Sequence, residues 1–267
     1  MEMLGYIFTL VMGVSLGLLG GGGSILTVPI LIYLFKVNAV EATAYSLFIV
    51  GLASGFGAIG KMRDGLVNFK VGATFAVPGF LGVFVSRAYL IPSLPEKIYE
   101  FGNFEITKEV LIMLVFSIMM ILASFSMIKG RKDRKSVQSG SHPQPMNFPL
   151  IAVEGLVVGA LTGFVGAGGG FLIIPALVVL AKLPMKMAVG TSLVIISFKS
   201  LLGFIGDVMV NPNIQWTFLI ALSVISVVGI FIGSHFSKKV PEATLKKGFG
   251  YFVLVMGAFI LYQQVVS

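Results

Sequence analysis

The chain has no cysteine, two histidines and one tryptophan, and Asp, Glu, Lys and Arg together supply only 11% of its 267 residues. Without cysteine there can be no disulfide, no thiolate metal site and no thiol chemistry. Two histidines and no acidic pair on one helix face leave a haem, metal or hydrolytic constellation without its parts. Its glycine runs are not followed by Gly-Lys-Ser/Thr, which excludes a P-loop, and there is no strand–helix alternation to build a dinucleotide fold. Nothing in the sequence calls for ATP or any other cofactor. A soluble domain carries about a quarter charged residues, so this chain is not made for water.

What fills the sequence instead is apolar: 57% of the residues are hydrophobic, in runs that cover nearly the whole length. Such runs read as a polytopic all-α membrane protein. A β-barrel would need alternating strands of about ten residues, and the runs here are continuous. The first run follows Met1-Glu2 without a basic leader and recurs later in the chain, so a cleaved signal peptide is not expected. The formal charge of +8 raises nucleic acid as a partner. Most of the basic residues lie in short loops between apolar runs, however, where membrane orientation explains them better.

The pattern is written twice. Shifted by 146 residues without a gap, Gly13–Gly60 lies on Gly159–Gly206 with 18 identities in 48 positions. At the centre are Gly20-Gly21-Gly22-Gly23-Ser24-Ile25-Leu26-Thr27-Val28-Pro29 and Gly166-Ala167-Gly168-Gly169-Gly170-Phe171-Leu172-Ile173-Ile174-Pro175. Paired glycine breaks in corresponding places of two apolar halves mark the substrate site of many transporters. The expected organisation is a first membrane repeat (1–128), a basic Ser/Pro/Gly-rich linker (129–147) that holds His142, and a second repeat (148–267). Each half reads as two short helices about a glycine break, then three full spans. The expected helices are Leu4–Leu19, Ser24–Phe35, Ala42–Gly60, Phe69–Leu90 and Val110–Ile128, then Leu150–Val165, Gly170–Ala181, Ala188–Gly206, Trp216–Phe236 and Gly248–Tyr262.

Length decides how the short pieces sit. Leu4–Leu19 spans about 24 Å and Ser24–Phe35 about 18 Å at 1.5 Å per residue, and neither comfortably crosses a hydrocarbon core of about 30 Å. They are expected to form a re-entrant hairpin or two tilted half-helices that return the chain to its starting side. Three spans then give each half odd parity, which predicts inverted repeats. A cytoplasmic linker puts fourteen of the basic residues inside, among them Lys61, Arg63, Lys70, Lys186 and Lys247, and four outside (Lys36, Arg87, Lys97 and Lys108). That satisfies the positive-inside rule and leaves both termini extracytoplasmic.

The glycine runs then acquire a chemical meaning. Gly13, Gly17, Gly159 and Gly163 read as packing glycines, as do Gly51, Gly55 and Gly79. Consecutive glycines cost about 1 kcal/mol each in a helix interior and are tolerated at membrane depth only where they are buried or line a cavity. Each run opens a new helix whose unpaired N–H groups and dipole favour an anion. The candidate substrate-binding residues are therefore Gly20, Gly21, Gly22, Gly23, Ser24, Thr27, Gly166, Gly168, Gly169 and Gly170. The next matched segment adds Ser46, Thr191 and Ser192. Ser24 is expected to cap the first of these helices, and Pro29 and Pro175 to kink them. Lys199 is the one basic residue placed mid-span, opposite Ala53 in the first repeat. It reads as an anion-pairing or proton-coupling lysine, or else as the partner of Glu154 or Asp207. Glu154 is the one span acid of note for proton coupling, while Arg87 and His235, near span ends, are expected to snorkel or bind interface water.

The two glycine runs ending in Pro29 and Pro175, the segments Ala42–Leu47 and Ala188–Leu193, and the pairs Asn68-Phe69 and Gln215-Trp216 together resemble the TauE/SafE sulfite-exporter family, the TSUP permeases. The resemblance covers essentially the whole chain. It implies transport of sulfite, sulfonates or related sulfur oxyanions across the bacterial cytoplasmic membrane, where the residues alone give a small anion. An anion channel, a membrane enzyme and a non-transporting assembly subunit are the alternatives. A channel would share the site but show flux without counterflow, and an assembly subunit has no need of glycine breaks. No motif names the particular anion, the direction of flux, the coupling ion or the oligomeric state.

Overall fold

In the computed structural model, residues 2–101, 104–128, 148–179, 181–211, 214–237 and 242–266 are described. Ten helices account for nearly all of them. They are α1 (Glu2–Leu19), α2 (Gly22–Leu34), α3 (Ala39–Arg63), α4 (Phe69–Ser93) and α5 (Lys108–Ile128), then α6 (Phe148–Val165), α7 (Gly170–Val179), α8 (Met185–Val210), α9 (Trp216–Phe236) and α10 (Glu242–Val266). A short antiparallel hairpin, β1 (Lys97–Phe101) with β2 (Phe104–Thr107), joins α4 to α5 where the sequence suggested only a loop. The linker 129–147, with His142, lies outside the described residues.

Among the described residues six helices are long and apolar enough to cross a membrane: α3, α4, α5, α6, α8 and α9. The chain is a multi-pass membrane protein. Against expectation α6 belongs to this group, its 18 residues reaching about 27 Å, while the apolar part of α10 is the shorter stretch Gly250–Gln264.

The first half-helix pair does double back. Gly5 near the start of α1 faces the ring of Phe35 just beyond α2, and Tyr6 stacks edge-on against it at 5.3 Å. In the second half Ile151 and Ala181, the equivalent pair, share one buried cluster. The turns match as well. Gly20 N–H and Gly166 N–H close the last turns of α1 and α6 on Leu16 and Thr162, both at 2.8 Å. Lys36 (φ 60°) and Lys182 (φ 51°) both adopt the left-handed conformation that a non-glycine residue seldom takes. Each redirects the chain after its short helix, with Val37 N–H bonded to Leu31 O (3.0 Å) and Leu183 N–H to Leu177 O (3.1 Å).

Packing obeys the same correspondence. The helices form a row, α1–α9–α3–α8–α4–α6, that maps onto itself when each helix is exchanged for its counterpart, with α5 paired to α10 and the broken helices α2 and α7 inside. Both outer pairs cross in parallel through small residues. Gly13 and Gly17 sit against Ser226, Gly229 and Gly233, while Gly155, Gly159 and Gly163 sit against Phe75, Gly79 and Val83. Backbone meets backbone at these points, which is how small residues hold membrane helices together by dispersion alone. The outward faces carry Val77, Leu81 and Val85 on α4 and Val224, Val228 and Phe231 on α9, all exposed in the protein and suited to lipid. Gly159→Val should therefore abolish monodisperse protein, because a Cβ there runs into the Gly79 backbone. Gly60→Ala, where a Cβ meets nothing within 4 Å, should leave the thermal midpoint in detergent unchanged within a few degrees.

Candidate functional site

The two glycine breaks touch. A Cβ added at Gly21 would stand 2.8 Å from Gly170 Cα, and one at Gly170 would run into the Gly21 backbone. Gly21 (φ 131°) and, across the junction, Gly168 and Gly169 (φ 64° and 77°) hold conformations that L residues rarely adopt. Each run also leans on the third helix of the other half. Gly20 meets the Val189 side chain on α8, and Gly166 meets Thr43 on α3, two positions equivalent in the repeat. Every candidate site residue named from the sequence is buried.

The hydroxyls divide into used and unused. Ser192 Oγ donates to Gly20 O (2.6 Å) and Val189 O (2.8 Å), tying α8 to the first break. Ser24 does not cap α2 as expected. Its hydroxyl donates to the Gly21 carbonyl at 2.7 Å, so it stabilises the turn before the helix and leaves the helical N–H groups to other partners. Thr191 Oγ1 accepts the Asn68 N–H at the start of α4 (3.0 Å), and its repeat counterpart Tyr45 accepts the Gln215 N–H at the start of α9 (3.2 Å). Thr191 thus serves a helix start rather than the glycine junction. Gly23 packs against the α1 backbone from Met12 to Leu16, while Gly22 opens the 3-10 turn of α2. Thr27 and Ser46 are buried with hydroxyls that no protein group engages, and so are Ser54 and Ser200. These last two are identical across the repeats, a signal present in the sequence but not drawn on.

Charge gathers at the second break. Lys199 Nζ is fully buried, donates to Thr162 Oγ1 at 2.5 Å, and stands 3.0 Å from where a Cβ on Gly169 would be, beside the first turn of α7. Among the described residues no carboxylate lies within ion-pair reach of it. Asp207 instead faces Arg87, with Oδ2 3.2 Å from Nε, and Glu154 on α6 is half-buried. Nor does Arg87 snorkel. It is 1% exposed and its Nη1 donates to Thr43 Oγ1 at 3.0 Å. Position near a span end misled here because α4 continues to Ser93 and packs its last turns against α8. His235 is exposed at the end of α9, beside the Phe236 ring. Thr162, Thr43 and Asp207 were not foreseen in these roles, since each is defined by a partner distant in sequence.

A multi-pass helical protein with two broken helices meeting at a buried cationic centre is, as a class, built around an internal binding site rather than a surface one. A family model described as sulfite exporter TauE/SafE matches residues 6–260. A probable membrane transporter protein of Xylella fastidiosa (strain Temecula1) is 26% identical over 258 residues, covering 96% of this chain and 93% of its own length. Bacillus subtilis YunE, also named a probable membrane transporter protein, is 25% identical over 296 residues, covering 99% of this chain and all of its own. No solved structure matches. The chain belongs to the TauE/SafE family, and it is a membrane transporter. Tyr45→Phe and Thr191→Val should each strand one N–H at a helix start and lower stability by about 1–3 kcal/mol in denaturant unfolding. Anion affinity should stay unchanged in both; its loss in Thr191→Val at unaltered stability would return Thr191 to the binding site.

Proposed function

We propose that this protein is a secondary transporter, working as an exporter, that carries a small sulfur oxyanion such as sulfite or an organosulfonate across the bacterial cytoplasmic membrane. Transport proceeds by alternating access around the junction of the two glycine breaks. The observation that carries this reading is Lys199: a fully buried ammonium beside a helix N-terminus, bonded to a hydroxyl and facing no carboxylate. A mid-membrane charge costs about 2.5–3.5 kcal/mol on insertion scales, and the helix end adds a like partial charge. An oxyanion bound between them relieves both. Thr27 and Ser46, buried with free hydroxyls, and the N–H groups around Gly20–Ser24 and Gly166–Gly170 supply the remaining donors. The family's description as a sulfite exporter supports the sulfur anion. The role is that of a carrier and not a catalyst.

Burial of every candidate residue supports an occluded carrier over an open channel. The returning half-helix pair followed by three spans supports inverted halves (1–128 and 148–267), and the basic loops support a cytoplasmic linker with both termini outside. Export needs no ATP in principle. Moving one negative charge outward at an inside-negative 100 mV is favourable by about 2.3 kcal/mol, and coupling to a proton is compatible with this site.

The decisive measurement is counterflow in proteoliposomes loaded with unlabelled sulfite and given a labelled trace outside, with sulfate and taurine as competitors. Label should accumulate transiently; flux without accumulation would indicate a channel. Lys199→Gln should lose sulfite binding by about tenfold or more, the range for removing one partner of a buried charged contact, in protein that stays monodisperse. Unchanged affinity would remove Lys199 from the site. Because the chain has no cysteine, Gln138→Cys offers a single label, which should react from the cytoplasmic side; labelling from outside would overturn the orientation.

A further inference from the structure

Arg87 has no part in the site as described, yet its surroundings resemble that site. It stands in a π-helical turn, Ser86–Leu90, within α4, an irregularity frequent at functional sites. Of its guanidinium donors, Nη1 reaches Thr43, Nε lies within ion-pair distance of Asp207 but out of hydrogen-bond alignment, and Nη2 is buried without a partner. A guanidinium presents five donors in a rigid fork that suits two oxygens of one oxyanion. The carboxylate here uses that fork poorly, and buried donors left unused are costly.

Its place in the fold connects it with Lys199. Along the parallel seam of α4 and α8, Gly79 lies 3.6 Å from Lys199 Cδ, Gly203 meets the Val83 side chain, and Gly206 lies 3.1 Å from Arg87 Cβ, all measured to an added Cβ. Eight residues of α4 therefore separate the two levels, about 12 Å at 1.5 Å per residue. Helix α3 bridges the same levels. Thr43, Ser46 and Val50 share one face by their i, i+3, i+7 spacing. Thr43 bonds Arg87 and touches Gly166, and Val50 touches Gly168. Ser46, between them, is 0% exposed with an unengaged hydroxyl. Thr43 Oγ1 gives its own proton to Val40 O at 2.8 Å, so the free donor on this face between the second glycine break and Arg87 is Ser46.

We propose that Arg87, positioned by Thr43 and joined by the Ser46 hydroxyl, forms a second subsite for the transported oxyanion, and that Asp207 is the internal carboxylate that occupies the guanidinium when the subsite is empty. This rests on the reading of Lys199 as the first anion site. An arriving oxyanion takes the donors that Asp207 leaves unused, and the nearby carboxylate keeps binding weak enough for release, as multi-site conduction requires.

Arg87→Gln alone would leave Asp207 a buried charge without compensation and is expected to misfold, so both are neutralised together. Arg87→Gln/Asp207→Asn should bind sulfite by calorimetry within about threefold of wild type, Lys199 being intact, while counterflow falls by about tenfold or more, in line with loss of a bidentate charged contact. Asp207→Asn leaves Arg87 unpaired in turn, and in the fraction that is monodisperse it should bind sulfite about tenfold tighter and turn over more slowly, because the competing carboxylate is gone. Arg87→Lys keeps the charge and loses the fork, and should also slow counterflow; it serves if the double variant does not fold. Wild-type counterflow in a folded double variant or in Arg87→Lys, or unchanged affinity in Asp207→Asn, would overturn the proposal and leave the ion pair as a structural fastener. Wild-type protein that neither binds nor exchanges sulfite would instead sink the underlying anion reading, and this is seen before any Arg87 variant is made.

Discussion

The backbone of Gly21 lies against the backbone of Gly170, and no residue with a side chain can stand at either place. Most of the architecture follows from that contact. Two helices must stop inside the apolar layer for their ends to meet there, which frees backbone groups that lipid cannot satisfy. The breaks are therefore walled in by protein. Helices α3 and α8 close on them through Thr43 at Gly166 and Val189 at Gly20, and the outer pairs α1/α9 and α4/α6 clamp the returning half-helices in place. The glycines at those crossings let the clamps come close enough to seal the centre without any large side chain between.

The scaffold is paired but its chemistry is not. Lys199 stands where the first half has Ala53, Arg87 where the second has Ser234, and Thr162 where the first has Leu16. All the buried charge accordingly sits on the side of the second break, leaving the first to Val189, Leu16 and Ala53. Arg87 and Asp207 largely cancel, which leaves Lys199 as the buried basic group with no carboxylate in reach among the described residues; on the proposed reading it carries its charge when the anion is bound. A single buried cation is best balanced by a monoanion. A dianion would carry an excess charge into a low-dielectric centre at a cost the remaining hydroxyls and N–H dipoles would have to offset. On the proposed reading this asymmetry would also orient an anion, charged oxygens toward Gly169 and the less polar side toward the first break.

Continuous apolar runs made the helices legible from sequence, and Trp216–Phe236 was found with the same bounds in the structure. The glycine breaks were legible for the same reason, since four small residues in a row interrupt a pattern that nothing else interrupts. Other features depended on distant partners. Arg87 looked like an interface residue because its position was judged along the chain, whereas Asp207, 120 residues further on, is what accompanies it inside. Thr191 carried a hydroxyl of the right kind in the right segment, but its bond to Asn68 spans 123 residues, and only packing reveals it. The β1–β2 hairpin is too short to announce itself against long hydrophobic runs. Ser54 and Ser200 are the opposite case: their identity across the repeat was in plain view, and their significance emerged only with their burial.

If the buried candidate groups bind the anion as proposed, the protein has to open, and the distribution of contacts limits where. Within α1/α9 and within α4/α6 the backbones interlock through glycine, so each pair moves as one body; a side chain's width of play does not exist there. Between these bodies stand α3 and α8, whose crossing sets Gly51 against both the side chain and the backbone N of Leu201, and Gly55 against the side chain of Ser197 alone. Side-chain rotamers can yield where backbone cannot. Among the described residues the hydrogen bonds that span the two halves include Ser192 to Gly20, Thr191 to Asn68, Tyr45 to Gln215 and Ser86 to Ala160, with the Arg87–Asp207 ion pair beside them. At about 0.5–1.5 kcal/mol net for each such bond, parting one or two costs no more than a membrane potential of ordinary size can supply to a moving charge. The Gly55 end of the α3/α8 seam is thus softer than the outer pairs, and Lys199 lies on the other side of α8, toward α4 and α6.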